Sequence, residues 1–166
     1  IRRDMMHKWK SVLIGGMMSL TTFIWALNGS FDLDVLPVFS AKSLSGGRLT
    51  YQVLSEGGVV TFFRSSCGYC LLEFPVWGEI RKEFPDLMMV LIIHKEPKAS
   101  IQRFLDQHGN PFTHVIVDSD NMLWRMFGAS QTPETFVFDK KSRVAGHFGY
   151  LGKHPRPLVT ALKQVG

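Results

Sequence analysis

Short apolar runs alternate with helix-period stripes along most of this chain. Val59-Val60-Thr61-Phe62-Phe63 follows Gly57-Gly58, and residues 87–93 are continuously apolar, as strands covered on both faces require. Between these runs Phe74, Trp77, Ile80 and Phe84 recur at helical spacing and predict a helix over 70–84, bent at Pro75 and closed by Pro85. That aromatic stripe is core rather than a cofactor box. Residues 99–108 predict an amphipathic helix stopped by Gly109, and 113–117 a strand. Residues 121–127 predict a short helix capped from Asp118-Ser119-Asp120. Residues 135–139 and 143–148 alternate around Lys140-Lys141-Ser142 as a hairpin, and 157–165 predict a closing helix. Upstream, 31–39 reads as a linker or first strand, Ser45-Gly46-Gly47 as a turn and 48–52 as a short strand. The order predicts an α/β domain with a central mixed sheet flanked by helices.

A different pattern precedes it. Arg2, Arg3, His7, Lys8 and Lys10 stand before the charge-free apolar residues 11–27, which reads as an export signal or a membrane anchor at the lower edge of spanning length. No small-x-small cleavage site is clear, which favours an uncleaved anchor. Positive flanks stay in the cytoplasm, so the body after Asn28 is expected to face the periplasm or the outside of the membrane. The expected organisation is a basic and hydrophobic segment over 1–30 and one domain over 31–166.

Composition narrows the function classes. With 166 residues, 45% hydrophobic and 12% aromatic, the chain suits one domain with a sizeable core. Its net charge of +5 is dispersed rather than gathered in a stripe, which argues for a solvated basic surface and against a nucleic-acid partner.

The chemistry lies in Cys67-Gly68-Tyr69-Cys70, which holds both cysteines of the chain directly after the apolar run 59–63. With no third cysteine there is no disulfide framework, and these two pair with each other or with a partner protein. A strand that delivers Cys67 to a helix start puts its sulfur among unpaired backbone N–H groups, which favours the nucleophilic thiolate. Cys70, one turn in, is then the shielded resolving thiol. The histidines offer no second ligand pair for zinc, and no isolated cysteine suggests a peroxidase. Copper-delivery proteins of related fold use Cys-x-x-x-Cys and a distant histidine, so the spacing argues against copper.

Three local matches give a resemblance. Phe62-Phe63-Arg64-Ser65-Ser66-Cys67-Gly68-Tyr69-Cys70, Cys70-Leu71-Leu72-Glu73-Phe74-Pro75 and Gln131-Thr132-Pro133 before an apolar strand are similar to membrane-anchored thioredoxins of the TlpA type, the group that includes cytochrome c maturation reductases. The resemblance implies a thioredoxin-like fold from about Phe31 onward. It also implies thiol–disulfide exchange with protein substrates such as apocytochrome c, a membrane electron donor, and no bound metal or cofactor. It casts Pro133 as a cis-proline facing the dithiol and Thr132 as a docking residue whose backbone is free to pair with an extended peptide. Gly68 and Tyr69 lie at the substrate-binding edge. Glu73 either assists proton loss from Cys70 or is an exposed carboxylate stabilised by the helix dipole. Ser66 stands where thioredoxins usually have tryptophan, and Thr61 where thioredoxin itself has a buried acid. Gly68-Tyr69 is similar to the pair of bacterial disulfide isomerases. The expected activity is reduction, with an oxidase or isomerase as the redox alternative and a thiol-based copper chaperone or binding module as the non-enzymatic one.

Overall fold

The computed structural model describes residues 33–165, so the segment predicted as signal or anchor lies outside the described residues. Among the described residues no helix is long and apolar enough to cross a membrane. Two strands, β1 (Ser40–Lys42) and β2 (Arg48–Thr50), pair antiparallel around the predicted glycine turn. A 3-10 turn, Tyr51–Leu54, leads into β3 (Gly58–Phe63), α1 (Gly68–Glu83), β4 (Met89–His94) and α2 (Lys98–His108). β5 (His114–Asp118), α3 (Met122–Met126), β6 (Glu134–Phe138), β7 (Val144–Phe148) and α4 (Arg156–Val165) follow.

Five strands form the main sheet in the order β5-β4-β3-β6-β7. β3, β4 and β5 run parallel, while β6 pairs antiparallel with both β3 and β7. The mixed α/β architecture therefore agrees with the sequence reading. β3 is buried at every position because both of its faces are covered. Val59 and Phe63 point into a layer with Phe74, Trp77 and Ile80 of α1, Ile101 and Leu105 of α2, and Leu158 and Leu162 of α4. Val60 and Phe62, one residue out of phase, join Leu123 and Phe127 on the other side. Each such fully buried side chain stabilises the fold by roughly 1.5–3 kcal/mol. Gly58 enters β3 at φ +153°, where a Cβ would stand 2.6 Å from the Met88 carbonyl oxygen, so this strand can start here only with glycine.

Two expectations need correction. The strand expected over 48–52 ends at Thr50, because the chain turns to carry Leu54 fully into the core. β1 lies just beyond the segment 31–39, where a first strand or linker was expected. The cap of α3 comes from the segment expected to supply it: the buried Asp118 carboxylate accepts from the Leu123 and Trp124 N–H groups at 3.0 and 2.9 Å and Asp120 from the Met122 N–H at 3.1 Å, while Asn121 adopts a left-handed conformation (φ 65°).

Candidate active site

Topology brings the predicted residues together. Because β3 and β6 are antiparallel, the end of β3 lies beside the start of β6, with Phe62 opposite Glu134. The segment leaving β3 toward Cys67 therefore meets the segment Gln131-Thr132-Pro133 that enters β6. The Thr132–Pro133 peptide is cis. The Cys67 thiol donates to the Thr132 carbonyl at 3.2 Å, across 65 positions of sequence.

Cys67 is the N-cap of α1. Its backbone is extended (φ −91°, ψ 114°), and its sulfur accepts from the Cys70 N–H at 3.2 Å, in the role a serine or aspartate oxygen commonly takes. Burial raises the Cys67 thiol, but hydrogen bonding from Cys70, from the Thr132 side chain and from the Cys70 and Tyr69 backbone outweighs it, and the pKa falls below its ordinary value. Cys70 is buried, and that burial together with the Cys67 sulfur pushes its thiol up to about 12. The pair is thus strongly asymmetric, with the accessible sulfur the easier to ionise. Gly68 opens the helix with no neighbour where a Cβ would stand, and Tyr69 is exposed beside it.

Glu73 is fully buried, one turn beyond Cys70 on the same face of α1. Its Oε2 accepts from the Leu151 N–H at 2.7 Å, while Oε1 is buried with no partner. Burial raises this carboxyl to about 7; the Leu151 N–H opposes the rise, as does the Trp77 indole without reaching hydrogen-bond geometry. Thr61 makes no ionisable contact: its hydroxyl pairs with that of Thr135 at 2.9 Å inside the sheet. Ser66 is held by Glu96, whose Oε1 accepts from its N–H and hydroxyl at 3.2 and 3.4 Å.

Two further residues shape the site without any signal that sequence reasoning used. Glu134, buried immediately after Pro133, accepts from the Ser130 and Gln131 N–H groups at 2.7 and 3.0 Å and contacts His147 Nε2 at 2.7 Å. It latches the loop that carries Thr132. A charge at the head of the apolar run Thr135-Phe136-Val137-Phe138 was the available clue. Tyr150 lies against Tyr69, ring centroids 4.9 Å apart.

Known proteins resemble this chain in sequence and in fold. The chain is 32% identical over 114 residues to the thiol:disulfide interchange protein DsbE homolog of Paracoccus denitrificans, covering 68% of this chain and 59% of that protein. It is 26% identical over 114 residues to the thiol-disulfide oxidoreductase ResA of Geobacillus thermodenitrificans, covering 65% and 63%. The chain thus spans about three-fifths of the length of these relatives. Solved structures show the thioredoxin-like fold: MTB dsbF has a TM-score of 0.69 at 23% identity, covering 77% of this chain and 95% of that one. A thioredoxin-family thiol:disulfide interchange protein from Chlorobium tepidum has a TM-score of 0.67 at 18% identity, covering 82% and 99%. The family model that matches residues 33–147 takes in the sheet up to β7, the dithiol and the loop before β6, and by that match the chain belongs to the AhpC/TSA family.

Proposed function

We propose that this protein is a thiol–disulfide oxidoreductase of the cell envelope that reduces disulfides in protein substrates through Cys67 and Cys70. The observation that carries the reading is the unequal placement of the two thiols: Cys67, part-exposed at the start of α1, accepts from the Cys70 N–H at 3.2 Å and faces the cis Thr132–Pro133 peptide, while Cys70 is buried with the Glu73 carboxyl one turn away. The Cys67 thiolate attacks a substrate disulfide, forming a Cys67–substrate bond and releasing the other substrate sulfur as a thiolate that takes a proton from water. Cys70 then gives its proton to the Glu73 carboxylate, directly or through water, and attacks Cys67 Sγ. The second substrate thiolate leaves, two electrons have passed to the substrate, and Cys67–Cys70 is a disulfide. A donor dithiol, carried by a membrane protein in this reading, restores the reduced pair. The Thr132 backbone beside Pro133 aligns an extended substrate segment on Cys67.

Likeness to DsbE and ResA proteins supports placement in the TlpA-type group, with an N-terminal anchor holding the domain on the periplasmic side and apocytochrome c as substrate class. Cys67→Ser should abolish reduction of model disulfides, and Cys70→Ser should accumulate mixed disulfides with substrate. Unchanged activity in Cys67→Ser would sink the proposal. The lowered Cys67 pKa supports a second reading as oxidase or isomerase, since a stabilised thiolate favours the dithiol form. The reduction potential separates the two: about −270 mV marks a reductant and about −120 mV an oxidant.

A further inference from the structure

Exposed large apolar side chains among the described residues fall in two groups, Val35 and Val38 in the entering segment, and Tyr69, Leu71, Leu72 and Tyr150 about the start of α1. The second group adjoins the dithiol. Tyr69 and Tyr150 are 61% and 42% exposed, yet they face one another across two elements with rings tilted by 46°. Leu72 is one turn beyond Tyr69 on the same face of α1.

The loop that presents Tyr150, between β7 and α4, is held on both sides of that residue. Leu151 donates to the buried Glu73 carboxylate, and Gly149 packs so tightly on Gln131 that a Cβ there would stand 2.6 Å from its amide nitrogen. Gln131 belongs to the same loop as Thr132. Tyr150 is therefore tied through Leu151 to the helix that carries Cys67 and lies, through Gly149, beside the loop that receives its hydrogen bond.

We propose that Tyr150 is a specificity-determining residue that forms, with Tyr69, an aromatic ledge for one side chain of the substrate peptide. The proposal rests on the exchange reading above and names the substrate class within it. A segment extended along Thr132 sends alternate side chains to one side, so when its cysteine points at Cys67 the side chains two residues away also face the protein. The ledge suits a bulky apolar or aromatic side chain at that distance. Aromatic contacts of this kind correspond to a preference of roughly two- to tenfold.

The test uses peptides with one cysteine held in a mixed disulfide with a small thiol, carrying Phe or Ser two residues before or after it. kcat/KM is measured for the full chain, for Tyr150→Ser and for Tyr150→Phe, and the Phe-to-Ser ratio is read, which does not depend on overall rate. The expected result is a ratio of roughly two to ten in the wild type at one of the two positions. It should be retained in Tyr150→Phe and fall to about one in Tyr150→Ser. A ratio of one in the wild type, or a full ratio in Tyr150→Ser, overturns the ledge while leaving the exchange reading intact. Absence of Cys67-dependent turnover with every peptide removes both.

Discussion

The buried carboxyl of Glu73 makes the stability of this protein depend on pH in a direction opposite to that of most acidic groups. In the unfolded chain the group titrates at its ordinary 4.5, and in the fold at about 7. Between these values the folded protein binds more protons than the unfolded one, so stability falls as pH rises through the window and is level above it. The shift corresponds to about 3 kcal/mol, fully present below pH 4.5 and lost by about pH 8. Glu73→Gln keeps an oxygen to accept from Leu151 and fills the same space but cannot ionise. His94 acts the other way, because burial, with Lys95 and Arg64 adding to it, lowers its pKa despite Asp118, and its contribution grows with rising pH. Subtracting the variant's curve from the wild-type curve removes that contribution. Urea denaturation midpoints at intervals from pH 4.5 to 8 should show the wild type losing about 3 kcal/mol relative to Glu73→Gln. Parallel curves, or a wild type gaining on the variant as pH rises, would refute the assignment of a protonated, desolvated carboxyl.

Other consequences can be checked separately. Trp77→Phe removes an indole that lowers the Glu73 pKa, so the same stability loss should start at the same pH but extend to a higher pH and grow larger, while Trp77→Ala should cost about 3–5 kcal/mol in urea denaturation because the side chain is fully buried. Alkylation by iodoacetamide should modify Cys67 alone under native conditions, with a pH midpoint below the ordinary 9.0, because Cys70 is buried and ionises only near 12. Glu134→Ala strands the Ser130 and Gln131 N–H groups and should cost about 2–4 kcal/mol. By loosening Thr132 it should also raise the Cys67 alkylation midpoint, a shift that simple destabilisation would not produce.

The fold was legible wherever one residue period dominated a segment. In β3 the alternation of Val59 and Phe63 against Val60 and Phe62 divides one strand between two core layers, and in α1 the spacing of Phe74, Trp77 and Ile80 matches one buried face. β1 was not legible in the same way, because a three-residue strand is too short to show a period, while β2 was read from Arg48 but two residues too long. What fixes them is local pairing with each other across the turn and a bridge from Ser43 to the sequence-distant Ile116. The 3-10 turn before Gly58 follows from the need to bury Leu54, a tertiary demand that overrode the local extended preference of Tyr51 and Val53.

The site divides along the same line. The spacing of Cys67 and Cys70 and the Thr132-Pro133 dipeptide could be read locally, but what each group does depends on partners brought in by the sheet. Glu73 is the sharpest case. Its position relative to Cys70 follows from helix geometry, whereas its burial follows from Leu151, 78 positions away, folding back over α1. With Thr61 and Thr135 pairing as hydroxyls, the strand position where thioredoxin has an acid is neutral here. The buried ionisable group one turn from Cys70 stands on the helix instead. There it is coupled through Leu151 to the loop bearing Tyr150, so in the proposed exchange a change at Glu73 reaches both Cys70 and the surface offered to a substrate.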